Sequence, residues 1–228
     1  MIMSKRLLKK TPILGPALQW VARLIRGQPD FHTSAKYWED RYRAGGNSGA
    51  GSYNRLAEFK AEALNDFVRR NQVRSVIELG CGDGAQLMLS DYPFYTGADV
   101  SAEAVGMCRQ LYANDINKMF FTVNGLPSGM TADLALSLDV IYHLVEDSVF
   151  DAYMHQLFER ARRFVVIYSS DKDEEWKSSH VRHRKFTDWI ERNRPDWTLL
   201  QQIKNKYPYD PDNEADTSFA DFHILHRP

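Results

Sequence analysis

Apolar residues fall along this chain in two rhythms. Short unbroken runs, of the length that fills a buried strand, appear at Val76-Ile77-Glu78-Leu79, at Tyr95 to Asp99, at Met119 to Val123, at Asp133 to Asp139 and at Arg163 to Tyr168. Helical spacing separates them. One helix is predicted to start at Ala85, one runs from Ala104 to Tyr112 behind an N-cap at Ser101, and one covers about 149–162. Ahead of the first strand, Ser34 to Tyr42 reads as a capped helix with an aromatic stripe of Tyr37, Trp38 and Tyr42. Residues 54–71 form a second helix through Leu56, Phe59, Ala63, Leu64, Phe67 and Val68. Gly45 to Ser52 between them is too rich in glycine for either element and fits a linker or a lid equally. After the fifth strand a helix is expected from Thr187 to Arg192, opened by Thr187. Thr198 to Ile203 and Phe219 to His226 alternate as two closing strands around a polar loop at Asp210 to Glu214.

The first strand breaks into three glycines at alternate positions, Gly80, Gly82 and Gly84. Without a Cβ the backbone can turn sharply and a ligand can lie directly against it. The second strand ends in an acid, Asp99, 15 residues beyond Gly84. That spacing suits a nucleoside-binding βαβ unit in which a carboxylate accepts from both ribose hydroxyls. A dinucleotide site would use G-x-G-x-x-G, whereas here the glycines alternate and position 85 is alanine. Glu78, two residues before the first glycine, would repel a pyrophosphate and suits a ligand carrying an amino group. A glycine turn without this cofactor is the plain alternative.

The segment Glu78-Leu79-Gly80-Cys81-Gly82-Asp83-Gly84 resembles the first motif of the class I S-adenosylmethionine-dependent methyltransferases, E/D-x-G-x-G-x-G. By motif the resemblance covers about residues 75–186. It implies an α/β fold: a doubly wound, mostly parallel, seven-stranded Rossmann-like sheet of order 3-2-1-4-5-7-6, with an N-terminal helical extension. It implies S-adenosylmethionine as cofactor. Cofactor contact is then carried to Glu78, Gly80, Cys81, Gly82 and Gly84 in the loop and to Asp99 and Val100 after the second strand. It also falls on Asn124 and Gly125 after the third strand, with Asn124 at the adenine, and on Ser137 and Leu138 beside the sulfonium. Many small relatives cover the cofactor with an aromatic-plus-arginine helix, which Tyr37, Arg41 and Tyr42 resemble; Arg41 would then meet the methionyl carboxylate or, equally, pair with a surface acid.

His143 is the sharpest candidate for a catalytic base, because its proton affinity lies near working pH. It could equally be a structural histidine that orients its loop. Asp139 is a second candidate, for substrate orientation or for capping. His183 is a third, within a run of five basic or titratable groups from His180 to Lys185. That run follows the fifth strand, so it is expected on the cofactor's side of the sheet, where it could bind an anion or be a solvated loop.

Composition narrows the function classes. The 228 residues suffice for one α/β domain, residues 31–228, with 31–74 as a helical and glycine-rich lid and 1–30 as an appendage. Net charge is −1, which gives no drive toward nucleic acid, and two cysteines build neither a disulfide framework nor a metal site. Cys81 inside the glycine loop points to a reducing compartment, hence a cytoplasmic protein. Six Lys or Arg and no acid lie in residues 1–26, with apolar residues from Ala17 to Ile25 at helical spacing. Such an arm suits peripheral contact with the inner face of a membrane, or docking on the body. The reading is a methyltransferase acting on a small molecule or a glycan hydroxyl, including a lipid- or nucleotide-linked sugar. N-methylation of a small amine or natural product, and a non-catalytic cofactor-binding subunit, are the alternatives.

Overall fold

A computed structural model describes residues 31–228, which form a unit of their own. The arm expected over residues 1–30, with its membrane contact, lies outside the described residues. Seven strands form one sheet: β1 (Ser75–Leu79), β2 (Phe94–Asp99), β3 (Lys118–Thr122), β4 (Ala132–Leu138), β5 (Ala161–Ser169), β6 (Thr198–Ile203) and β7 (Asp221–His226). Their order is β3-β2-β1-β4-β5-β7-β6. β1 to β5 run parallel, and β7 is antiparallel to both β5 and β6. This is the doubly wound order implied by the resemblance. The helices are α1 (Ser34–Arg43), α2 (Asn54–Arg70), α3 (Ala102–Leu111), α4 (Asp147–Glu159) and α5 (Phe186–Asn193).

Alternation along the strands sorts the core into two layers. Val76, Leu134, Leu136 and Val166 pack under α2 and α3 with Leu64, Phe67, Val68 and Val105. Ile77, Leu79, Ala135, Val165 and Ile167 face the other way, against Phe150, Met154 and Leu157 of α4 and Phe186 and Trp189 of α5. Both faces of the central strands are therefore covered, which is why their sequences read as continuous apolar runs. Glu78 shares its face with Val76, so this acid is driven into the layer beneath α2 and α3.

Several boundaries differ from the expectation, each for a local reason. The helix expected from Ala85 is a single 3₁₀ turn, Gln86–Leu89. Met88 and Leu89 remain exposed, Gln86 turns inward to donate to the Ala57 carbonyl, and β2 starts at Phe94, directly after Pro93. α4 runs from Asp147 to Glu159, because Ala161 is already paired with Ala132 in the sheet. α5 opens at Phe186, and Thr187 does not cap it. Instead Thr187 donates through its backbone N–H and hydroxyl to Asp171, at 3.1 and 2.8 Å. The N-cap at Ser101 is present, accepting from the Ala104 N–H.

Candidate functional site

Neighbours of β1 on its two sides, β2 and β4, are reached by crossovers in opposite directions, and the crevice at their carboxyl ends is where open α/β sheets hold ligands. The glycine loop lies there. Gly80 (φ +89°) and Gly82 (φ +59°) occupy the left-handed region, and a Cβ on either would collide, with Val140 and with Ser48 respectively. Asp99 holds the loop from beneath. Its Oδ2 accepts the Gly82 N–H and its Oδ1 the Ser101 N–H, both at 2.9 Å. Burial pushes the Asp99 carboxyl up, against these N–H groups, which hold it down.

The glycine-rich segment after α1 is docked on this loop. Asp83 is the clasp. Its Oδ2 accepts from the Ser48 N–H at 2.9 Å and the Tyr53 hydroxyl at 2.7 Å, and its Oδ1 accepts from the Ala85 N–H. Ser48 returns a bond by accepting from the Asp83 N–H, and it also meets the Tyr42 hydroxyl at 2.9 Å. Burial alone would raise the Asp83 carboxyl, but the bonds from Tyr53 and Ser48 outweigh it and the group sits below its ordinary value.

A cleft of about 790 Å³, including its mouth, opens above the loop. Of the residues picked out from the sequence, Glu78, Gly80, Cys81, Gly82, Asp99, Val100, Leu138, Asp139 and His143 line it. Ser137 lies under the floor, where its hydroxyl accepts from Tyr153. Gly84 backs onto Cys108 and Tyr112, and Asn124 and Gly125 lie exposed on the turn after β3. Glu78 accepts from the Tyr95 hydroxyl at 2.5 Å, and burial pushes its carboxyl up to about 7.

Beside the cleft lies a second cavity with aromatic walls, of about 970 Å³ with its mouth. Tyr37 and Arg41 face this cavity rather than the cleft. Trp38, Ser48, Asp139 and His143 line both. Asp139, itself at φ +59°, accepts from Lys60 Nζ at 2.6 Å and from the Tyr142 hydroxyl at 2.8 Å. The Nδ1 of His143 lies 3.1 Å from the His180 carbonyl oxygen, which can only accept, so Nδ1 bears the proton. His143 stacks on His180 and meets Trp38 edge-on. Burial among these rings pulls its proton affinity down to about 4; the His180 carbonyl opposes this, while the His180 ring and Arg41 add to it.

The basic run after β5 is dispersed: His180 stacks on His143 beside the cleft, while the arginines and the lysine are paired with acids. Arg182 and Arg184 both pair with Asp147 at 3.0 Å, and Lys185 pairs with Asp188 at 2.9 Å. Arg184 also donates to the carbonyls of Leu144 and Val145. The two arginines thus brace the loop that carries His143. His183 is buried away from both cavities' walls, its Nδ1 2.6 Å from the Ser170 hydroxyl. From this run only His180 and Val181 reach the aromatic cavity.

Sequence reasoning passed over Lys60, Gln86 and Asp83. A signal for Lys60 was present: Leu56, Lys60 and Leu64 lie four apart on the buried stripe of α2, and the lysine is 1% exposed. Gln86 and Asp83 gave none, because their partners come from α2 and the docked segment.

No family model matches this chain, and no curated protein sequence does. Solved structures share its fold. The N-methyltransferase NodS from Bradyrhizobium japonicum WM9, in complex with S-adenosyl-L-homocysteine, aligns at TM-score 0.66 and 16% identity, covering 86% of this chain and all (100%) of that one. The magnesium protoporphyrin IX methyltransferase ChlM from Synechocystis PCC 6803 with bound SAH aligns at 0.62 and 14% identity, covering 85% and 98%. The methyltransferase domain of bacterial CtHen1-C aligns at 0.56 and 18%, covering 74% and 96%. At these identities the likeness is one of fold.

Proposed function

We propose that this chain is an S-adenosylmethionine-dependent methyltransferase that methylates a hydroxyl of a small molecule or glycan. The observation that carries the reading is the meeting of two cavities at Asp139 and His143, one built on the glycine loop and one walled by aromatic rings. Structural neighbours that act on different acceptors share this fold and hold the cofactor or its product, which supports the same ligand class here. When bound, the cofactor supplies a methyl group already activated on a sulfonium.

The cleft's own residues fit that ligand. Each Asp99 oxygen receives one backbone N–H and keeps lone pairs for a ribose hydroxyl. Gln86 Oε1 is buried without a partner among the described residues, and Glu78 lines the same cleft. Both suit an ammonium group. Asn124 is exposed on the turn after β3 and does not line the cleft, so its place at the adenine rests on the resemblance alone. Gly84 would hold the loop's shape, with Ser137 below the floor.

On this reading His143 is the base. With Nδ1 bearing the proton, the lone pair sits on Nε2, and burial keeps the ring neutral at pH 7. At about 4 rather than near working pH, it is a weaker base than expected, suited to taking a proton that the methyl transfer itself makes acidic. As the methyl group that the bound cofactor would supply is transferred to the acceptor oxygen, His143 Nε2 would take up the proton that the hydroxyl gives up. Asp139, already engaged by Lys60 and Tyr142, orients the loop and the acceptor. The rings of the second cavity exclude water and align the acceptor, which accounts for much of the rate when the donor is already activated. His183, bonded to Ser170 and off both cavities, is not the base we favour.

The basic residues 1–26 support a narrower form, a lipid- or nucleotide-linked sugar modified at the cytoplasmic face of a membrane. Among the described residues no helix is long and apolar enough to cross one.

Calorimetric titration of the full chain with S-adenosylhomocysteine, with NAD as control, tests the cofactor. Binding of the first alone is expected; binding of NAD alone overturns the reading. Mass analysis of labelled products tests the acceptor, and methylation confined to uncharged small amines would reject the hydroxyl.

A further inference from the structure

The aromatic cavity carries one charge that finds no counter-ion among the described residues. Arg41 projects from α1 into it. Its Nε donates to the Asn47 carbonyl at 2.7 Å and its Nη2 to the Asn47 side-chain oxygen at 3.3 Å, both neutral acceptors. The guanidinium lies 5.4 Å from the centre of the Trp38 ring. Among the described residues no carboxylate pairs with Arg41, whereas the other charges on these walls are matched: Asp139 with Lys60, Lys177 with Glu214. Arg41 depresses the proton affinity of both His143 and His180, so its field reaches the candidate base.

Arg41 is also held in place. A Cβ at Gly46 would come within 2.8 Å of Arg41 Cγ, so the docked segment closes over the side chain only because that residue is glycine. A fixed, half-buried cation with spare donors, in a cavity of rings, is a receptor for an anion. The walls set the shape of what carries it. On one side Tyr37 stacks on His180 at 4.4 Å with 11° between the planes, and His180 stacks in turn on His143. On the other, Trp176 meets Tyr209 and Phe219 edge-on at 5.3 and 5.4 Å.

We propose that the acceptor is a hydroxylated six-membered ring bearing a carboxylate, with the ring between these walls, the carboxylate on Arg41 and the hydroxyl at His143. Arg41 is then a residue of acceptor specificity, not a holder of the cofactor's carboxylate. This rests on the methyltransferase reading above. A uronic acid and a hydroxybenzoate share the required chemistry, and the test separates them.

The full chain, saturated with S-adenosylhomocysteine, is titrated by saturation-transfer NMR with glucuronate, 4-hydroxybenzoate and their neutral counterparts glucose and phenol. The carboxylated member of one pair is expected to bind roughly tenfold or more tightly than its neutral counterpart, since a charged hydrogen bond is being added. The sugar pair or the phenol pair identifies the source. Arg41→Gln should erase that preference and leave S-adenosylhomocysteine affinity within about twofold. Arg41→Lys, which keeps the charge, should retain part of the preference, so a misfolded first variant does not end the test. Equal binding of acid and neutral ring, no ring binding, or loss of S-adenosylhomocysteine affinity in both variants overturns the proposal alone. Failure of the native chain to bind S-adenosylhomocysteine overturns the cofactor reading and this inference with it.

Discussion

The Nζ of Lys60 lies 2.6 Å from Asp139 Oδ2, in a side chain only 1% exposed. The lysine comes from the middle of α2 and the acid from the end of β4, where the chain turns left-handed. Tyr142 occupies the other oxygen of the same carboxylate. The pair therefore pins the strand end beside the cleft, and His143 follows four residues on.

Removing one partner of a buried ion pair leaves the other charge without compensation, at a cost of about 3–5 kcal/mol. Lys60→Met should lower stability by about that amount in urea unfolding. The double variant with Asp139→Asn should recover most of the loss, because both charges are then gone. An additive double variant would mean the two side chains do not interact.

Glu78 links the cleft to pH. Its carboxyl is pushed up to about 7 by burial, from 4.5 in an unfolded chain. A raised acid contributes stability that is fully present below pH 4.5 and lost as the pH rises through 7. Glu78→Gln should therefore raise the melting temperature of the ligand-free chain at pH 8, by the equivalent of up to about 3 kcal/mol, with little change at pH 4. The same substitution should weaken S-adenosylhomocysteine binding, because an ammonium loses a carboxylate. A parallel melting profile for variant and parent across this range would place the buried proton elsewhere.

His143 titrates in the opposite sense. Its folded value, about 4, lies below the 6.5 of an unfolded histidine. The stability it contributes is present above pH 6.5 and lost as the pH falls through 4. His143→Asn should flatten the acid limb of the stability curve between these values. If His143 is the base, the substitution should lower turnover by about 10²–10⁴-fold and leave cofactor affinity nearly unchanged. Normal turnover per folded molecule would make it a structural histidine.

Asp83 clasps the glycine-rich segment to the loop through bonds to Ser48 and Tyr53. Asp83→Ala should speed hydrogen exchange of the amides in 45–53 by about tenfold or more, with the strand amides of β4 and β5 unchanged. S-adenosylhomocysteine should also dissociate faster. Unaltered exchange would show that Tyr42 and its neighbours hold the segment without the clasp.

How much was legible beforehand follows from the range of each interaction. Glu78, the glycines and Asp99 belong to one short strand–loop–strand unit, β1 to β2, so their spacing alone carries their geometry. Ala85 to Leu89 has helical propensity and reads as a helix, while inward-turning Gln86 and the nearby start of β2 hold it to a single 3₁₀ turn. The run from His180 to Lys185 looked like one anion site, yet its arginines are consumed by Asp147, more than thirty residues away in the chain.

By itself the sequence determined the alternation of strands and helices, the glycine turn and the acid that closes it, since each depends on residues near one another in the chain. Only the tertiary structure decided which charges are spent and which stay available. Lys60 on Asp139, Asp83 on the segment before α2, and Arg41 with no carboxylate partner among the described residues are outcomes of distant elements meeting. Local spacing has no means of encoding them, because burial and pairing are set by whatever surface the folded chain brings opposite.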